Sequence, residues 1–358
     1  MDPRVFDKFL VASVKAGASD VHLKSNAQPV LRVHGVLKEV KLEAISTEGM
    51  ENLVAHILKS NRLQIDLETV LEYDTSYYID GVGRFRVNIL RSKNKFGMVL
   101  RIIPSNVPSL DDLGLPQVLK KIAHEERGCV LVTGVTGSGK STTLAALINE
   151  INTTMRKHIV TIEDPIEFLH EDKLCRVTQR EVGADTKTFA SALRAALRQD
   201  PDVILVGEMR DAETIDTGLK AAETGHLVFS TVHTTDAAKT IGRIIDVFPA
   251  EAQPAVRLRL AENLKATISQ RLLRKADGQG RAVAMEIMVA TLSVQEMIKD
   301  ETRTHELTDY IEKGREHYGS QSFDQHLTEL FQSGVITFET AKQAASNPAD
   351  FERALYVS

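Results

Sequence analysis

Residues 134–142, GVTGSGKST, match the pattern G-x-x-x-x-G-K-[ST] through Gly134, Gly139, Lys140 and Ser141. That spacing suits the holding of phosphate. Glycines let backbone amides turn inward around an anion, a lysine reaches the outer phosphates, and a hydroxyl ligates Mg²⁺. The apolar run CVLVT precedes the loop and a helical stretch follows, which is the strand, loop and helix context this chemistry needs. Gly134, Thr136, Gly137, Ser138, Gly139, Lys140, Ser141 and Thr142 are therefore the expected nucleotide-binding residues, with Ser141 also a metal ligand. The chain is expected to bind a nucleoside triphosphate.

Three further apolar runs end on polar groups: HIVTIED on Glu163 and Asp164, DVILVGE on Glu208, and HLVFSTVH on His233. Ligands of open α/β sheets sit at the carboxyl ends of the strands, so these groups converge on the phosphate edge. Asp164 and Glu167 read equally well as solvated residues. Pro165 stops its strand just after Glu163 and Asp164. On this ground Glu163 and Glu208 are equivalent, and either could activate water. His226 opens the strand that His233 closes, so it lies at the opposite end, where a structural place and a functional one are both open.

A different feature precedes the loop. Arg84, Arg86, Arg91, Lys93, Lys95 and Arg101 occur with no acidic residue among them. In GRFRVNIL, Arg84 and Arg86 point to one face of a strand while Phe85 and Val87 point to the other. A solvated face is the ordinary reading of such a run. Phosphoryl transfer, however, needs positive charge beyond one lysine, often from a neighbouring domain or subunit. Some of Arg84, Arg86, Arg91 and Arg101 are thus expected to reach a nucleotide across a subunit boundary.

The elements that must position these groups fall into two domains, the expectation for 358 residues. Up to residue 103, helical and strand patterns mix, with PVLRVHGVLKEV and GRFRVNIL alternating like half-buried strands. Pro104, Pro108, Gly114 and Pro116 then mark a linker over 104–115, dividing 1–103 from 116–358. Beyond it, CVLVTG, HIVTIED, DVILVGE and HLVFSTVH alternate with a helix over about 139–151, one around TFASALRAALRQ and one around DAETIDTGLKAAETG. Apolar strands separated by helices imply an α/β fold with a parallel sheet covered on both faces. The C-terminal region reads as mostly helical, with a capping box at Ser322 and Gln325 and an apolar face of Phe323, Leu327, Leu330 and Phe331.

Composition narrows the class. A hydrophobic fraction of 42% and charged fraction of 26% are those of a globular protein, with no apolar run near the ~20 residues of a membrane span. The N-terminus has acidic residues where a secretory signal would be basic, and Val5, Phe6, Phe9 and Leu10 share a helical face, as in the first helix of a cytoplasmic protein. Cys129 and Cys175 form no CxxC pair and read as buried hydrophobes. A net charge of −5, and a basic segment whose only aromatics are Phe85 and Phe96, argue against a nucleic-acid partner.

Taken together, the motifs resemble the secretion ATPase superfamily of P-loop NTPases, most closely the type IV pilus retraction ATPases of the PilT/PilU family. GASDVHL, GRFRVN, the phosphate loop, TIEDPIEF (similar to the Asp box), TQREVG, ALRAALRQDPDVILVGEMRD (similar to the Walker B region) and AETGHLVFSTVHTTDAAKTIGRIIDVFP (similar to the His box) follow in the family's order. The resemblance implies a homo-hexameric ring with a PAS-like domain over 1–103 and a RecA-like ATPase domain over 116–358, using ATP and Mg²⁺. It also implies a cytoplasmic place at the inner-membrane base of the pilus machine. A platform protein and a paralogous retraction ATPase are the partners it suggests. By resemblance, Lys140 and Ser141 hold phosphate and Mg²⁺, Glu163 activates water, Glu208 lies on the metal side, and His233 lies near the γ-phosphate. Arg84, Arg86, Arg91 and Arg101 match the segment that approaches nucleotide at interfaces. Extension and type II secretion ATPases resemble the chain less, since they carry a four-cysteine zinc motif. Gln295 and Glu296 replace an Arg-Asn pair that the family ties to retraction, which puts full retraction activity in question more than hydrolysis.

Overall fold

The computed structural model describes residues 2–61, 65–103 and 106–357, so Pro104 lies outside the described residues. The chain forms two compact units. The first comprises Met1–Asn106 with Pro165–Leu169 and Glu181–Asp185; the second comprises Val107–Asp164, His170–Arg180 and Thr186–Ser358. The sequence reading missed the two segments that belong with the first unit. Most of the predicted linker belongs to the second unit, because Leu110 and Leu115 are buried in its core.

The first unit opens with helix α1 (Pro3–Lys15), capped by the Asp2 carboxylate, which accepts from the Arg4 amide. Phe6, Phe9 and Leu10 are buried there, but Val5 is 51% exposed and lies off the predicted face. Strands β1 (Ala18–Lys24), β2 (Val30–Val33) and β3 (Val36–Glu39) precede helix α2 (Thr47–Ser60), and β4 (Glu72–Ile79), β5 (Gly83–Ser92) and β6 (Lys95–Ile102) follow it. They form one antiparallel sheet in the order β3-β2-β1-β6-β5-β4. His34 and Gly35 close one hairpin and Lys93 and Asn94 another, each with both turn residues at positive φ, as type I′ hairpin turns require. The predicted alternation holds in β5, where Phe85, Val87 and Ile89 are buried with Met50, Leu53 and Ile57 of α2. It fails in β3, an edge strand whose four residues are all exposed.

The second unit contains α3 (Val118–Ala123), β7 (Gly128–Thr133), α4 (Lys140–Thr154), β8 (His158–Glu163), β9 (Arg176–Glu181), α5 (Phe189–Ala196), β10 (Val203–Val206), α6 (Ala212–Glu223) and β11 (Leu227–Val232). It continues through α7 (Ala237–Asp246), α8 (Gln253–Asn263), β12 (Leu264–Arg274) and β13 (Arg281–Val289). The sheet order is β13-β12-β7-β11-β10-β8-β9. Strands β12, β7, β11, β10 and β8 run parallel, and β13 returns antiparallel to β12. Every residue of β7, β10 and β11 is buried, which accounts for their uninterrupted apolar sequences.

Strands β12 and β13 lie where the sequence reading expected mostly helix. The long β12 pairs with the phosphate-loop strand on one side and a hairpin partner on the other, and tertiary pairing overrides its mixed pattern. Helices do dominate after it: α9 (Leu292–Lys299), α10 (Leu307–Lys313), α11 (Arg315–Tyr318), α12 (Phe323–Gln332), α13 (Phe338–Ala344) and α14 (Pro348–Val357). In α12 the Ser322 and Gln325 capping box is present, and Phe323 and Leu327 are buried with Leu330 and Phe331 packed beside them. Among the described residues, no helix is long and apolar enough to cross a membrane.

Candidate functional site

The phosphate loop leaves β7 at Thr133 and enters α4 at Lys140. Three of its glycines have positive φ: Gly134 at 141°, Gly137 at 79° and Gly139 at 89°. Gly134 is also sterically required, since a Cβ there would lie 2.5 Å from Ser138 Oγ and 2.6 Å from the Gln270 carbonyl oxygen. Thr136 and Gly137 are exposed at the crown of the loop, Ser138 is buried, and Ser141 and Thr142 are half-buried in the first turn of α4. The amides of that turn and its positive dipole end make an anion seat. The Lys140 ammonium donates to the carbonyls of Gly134 (2.8 Å) and Val135 (3.0 Å), so it lies inside the loop it serves.

Next to β7 in the sheet is β11, then β10, then β8, so their carboxyl ends carry His233, Glu208 and Glu163 outward from the phosphate loop in that order. Glu208 follows β10. The Gly207 amide donates to the Ile162 carbonyl (2.7 Å) and the Met209 amide to the Thr231 carbonyl (3.2 Å), extending the sheet past Val206 and aiming Glu208 between its neighbours. Its carboxylate lies 2.6 Å from Arg210 Nη2 and 3.7 Å from His233 Nε2. Burial holds the His233 imidazole below its ordinary pKa. The charges of Lys140 and Arg210 lower it further, against the opposing pull of Glu208.

Glu163, the last residue of β8, accepts on one carboxylate oxygen from the Thr161 hydroxyl (2.6 Å) and the Gln179 amide (3.1 Å). Gln179 in turn accepts from the His170 backbone amide at 2.8 Å, which fixes the orientation of its own amide. Asp164 and Glu167 are exposed, as the solvated reading has it. His226 lies before the start of β11, where its Nδ1 is 2.9 Å from the Ala221 carbonyl at the end of α6.

The four arginines of the first unit divide by environment. Arg84 pairs with the buried carboxylate of Glu181 (2.7 Å) and donates to Ser76 Oγ (2.9 Å), while Glu181 also accepts from the Ile166 amide. Arg91 donates to the Val70 and Leu67 carbonyls, both at 2.8 Å, and its guanidinium stacks 4.2 Å over Phe96. Both of these fasten local structure. Arg86 is exposed and lies in register with Arg101, which is also mainly exposed and donates to Asp20 at 3.0 Å. Asp20 is in turn in register with Arg32, so one row of the sheet carries three arginines around one aspartate.

Sequence reasoning missed the residues of β12 and β13 that brace the loop. Gln270, 1% exposed, donates from its amide to the Ser138 carbonyl at 2.6 Å. Ser269 accepts from Thr133 (3.0 Å) and faces Glu286 (3.4 Å). One signal was readable: a single glutamate inside the apolar run AVAMEIMV needs a buried partner.

Residues 3–317 match the family described as type II/IV secretion system protein. The chain is 47% identical over 344 residues to the type IV pilus retraction ATPase PilT of Pseudomonas aeruginosa, covering 96% of this chain and 99% of that one. It is 40% identical over 345 residues to the type IV pilus ATPase PilU of the same organism, covering 96% and 90%. A crystal structure of the pilus retraction motor PilT with bound ADP superposes with a TM-score of 0.85 at 43% identity, covering 97% of this chain and 98% of that one. The parallel sheet, the phosphate loop and these likenesses lead to one conclusion: the chain belongs to the type II/IV secretion system protein family, among its PilT/PilU pilus retraction ATPases.

Proposed function

We propose that this protein is a Mg²⁺-dependent ATP hydrolase that powers type IV pilus retraction as a homo-hexamer. The observation that carries the reading is a phosphate loop folded around Lys140 on a parallel sheet whose next strands end in His233, Glu208 and Glu163. Gly134, Thr136, Gly137, Ser138, Gly139 and Thr142 line the phosphate seat, and the loop is packed so closely that a Cβ added at Gly134 would collide with Ser138 and the Gln270 backbone.

The Ser141 hydroxyl and Glu208 carboxylate are hard oxygen donors suited to a cation that keeps most of its ligands as water and phosphate oxygens. These two would hold Mg²⁺, which when bound neutralises charge on the phosphate oxygens. Glu163, oriented by Thr161 and Gln179, takes the proton of the attacking water. His233, favoured in its neutral form, offers a hydrogen bond beside the terminal phosphate. Among Arg84, Arg86, Arg91 and Arg101, the exposed Arg86 and Arg101 are the ones we assign to a neighbouring protomer's nucleotide, with Arg84 and Arg91 supporting their strands.

The identity to PilT supports the retraction reading, and the sheet order supports a RecA-like ATPase domain. The six-stranded antiparallel sheet with two helices is compatible with a PAS-like domain. A cytoplasmic place at the inner-membrane pilus base, a platform protein as partner and a PilU-like paralogue beside it complete the proposal.

Phosphate release and nucleotide affinity, measured together, test it. Glu163→Gln is expected to keep ATP binding and lose about 100-fold to 10,000-fold in turnover, the contribution of a positioned base. Glu208→Gln is expected to weaken Mg²⁺-dependent binding as well. The opposite pattern would exchange the two roles, and turnover no higher than that of Lys140→Ala would favour an accessory protein that binds ATP without hydrolysing it.

A further inference from the structure

Glu286 is a carboxylate in the middle of β13, 7% exposed and flanked by apolar residues, and no step described above uses it. A buried carboxyl is costly unless its environment repays the loss of water. Glu286 lies opposite Ser269 in the β12–β13 register, Ser269 lies opposite Thr133 on β7, and Thr133 lies opposite Val232 on β11. These residues form one row running from the edge strand to the residue before His233.

Along that row the Thr133 hydroxyl donates to Ser269 Oγ (3.0 Å), and Ser269 Oγ donates to Glu286 Oε1 (3.4 Å). The same carboxylate oxygen accepts from the backbone amide of Ala237 at 2.8 Å. Ala237 is the first residue of α7, and its amide is one of the donors that a helix start leaves without an intrahelical acceptor. The Asp236 side chain caps the Lys239 amide, so Asp236 and Glu286 satisfy different donors of one helix end. Only Thr234, Thr235 and Asp236 separate Ala237 from His233, and Thr234 is itself tied to Thr240 of α7 at 2.7 Å. Besides the direct pairing of β7 with β11, the strand that launches the phosphate loop is thus joined to the loop that carries His233 through the Ser269 hydroxyl and one buried carboxylate oxygen.

We infer that Glu286 is a positioning residue: it anchors the start of α7 to the phosphate-loop strand and thereby holds His233 in register with Lys140. The inference rests on the hydrolytic reading and on the place given there to His233. A misplacement of about 1 Å at a catalytic group can cost about 100-fold in rate, so the anchor should show in turnover before it shows in nucleotide binding.

The test is a double-mutant cycle in the full chain, read as kcat and as ATP affinity. Glu286→Leu is expected to lower kcat at least about tenfold with affinity within about twofold, a split that general loosening of the fold would not give. Glu286→Gln keeps an acceptor oxygen for Ala237 and is expected to restore most of the lost turnover. In a His233→Ala background, Glu286→Leu is expected to add less than about a twofold loss, because its effect passes through His233. Should Glu286→Leu fail to fold, Ser269→Ala, which cuts the row at its middle hydroxyl, is expected to show the same dependence on His233 with a smaller loss. Full additivity with His233→Ala in either series, or a fall in affinity equal to the fall in kcat, overturns the inference. Absence of turnover in the unaltered chain overturns the hydrolytic reading, and this inference with it.

Discussion

Replacing Gly134 by alanine tests the phosphate loop with one carbon atom. The added Cβ would lie 2.5 Å from Ser138 Oγ and 2.6 Å from the backbone oxygen of Gln270, at a residue whose φ is 141°. The Ser138 hydroxyl can rotate away, but the Gln270 carbonyl belongs to β12, which is hydrogen-bonded on both sides. Strain at positive φ is about 1–3 kcal/mol, and forcing a methyl into packed structure costs about 1–3 kcal/mol. The sum, about 2–6 kcal/mol, is divided between global stability and distortion of the loop. Gly278→Ala supplies the comparison: its φ is 71° and no atom lies within 4 Å of the new Cβ, so only backbone strain of about 1–2 kcal/mol remains. Denaturant unfolding and fluorescent-nucleotide titration of both variants separate the two parts. Gly134→Ala is expected to lose at least about 1.4 kcal/mol, or tenfold, in nucleotide affinity, while Gly278→Ala keeps affinity and loses only stability. Equal behaviour of the two variants, or unchanged affinity in Gly134→Ala, would refute the view that contact with Gln270 shapes the loop.

The arginines of the first unit should separate in the same kind of measurement. Arg84→Ala leaves the buried Glu181 without its cation and should cost about 3–5 kcal/mol of stability. Arg86→Ala removes an exposed side chain and should stay within about 0.5 kcal/mol while lowering turnover. In the nucleotide-free chain, His233 should titrate below 6.5 by NMR, and Lys140→Ala should move its midpoint upward by removing a neighbouring positive charge. Burial pushes the Glu286 carboxyl up to about 7, against the 4.5 of a free glutamate. Between these values the folded chain keeps a proton that the unfolded chain has released, so stability should fall as pH rises through that window. Thermal unfolding across pH should show this slope flattened in Glu286→Gln.

What the sequence revealed depended on how local the signal was. The phosphate loop is contiguous, and its glycines, lysine and hydroxyl announce their roles by spacing alone. Strands β7, β10 and β11 were legible because burial on both faces leaves an unbroken apolar run. Their order in the sheet was not, since pairing is non-local, and that order is what puts Glu208 rather than Glu163 beside His233. Strands β12 and β13 escaped notice for a related reason. Residues such as Gln270, Arg271 and Glu286 interrupt the apolar pattern, and they are there to meet partners far away in the chain. Among the arginines, spacing showed that Arg84 and Arg86 share a face but not that only Arg84 meets a buried carboxylate nearly a hundred residues later. Val5 erred in the other direction, an apolar residue at helical spacing that faces solvent.

The position of Lys140 has a consequence for selectivity. Its ammonium is held by the Gly134 and Val135 carbonyls, while the amides of the first turn of α4 keep their donors for an anion. A phosphate oxygen that reaches the ammonium competes with those two carbonyls for its N–H donors. A lone phosphate or sulfate brings few oxygens to that competition, whereas a polyphosphate chain spans the loop and the first turn of α4 together. The cradle therefore favours ligands long enough to engage it at several points.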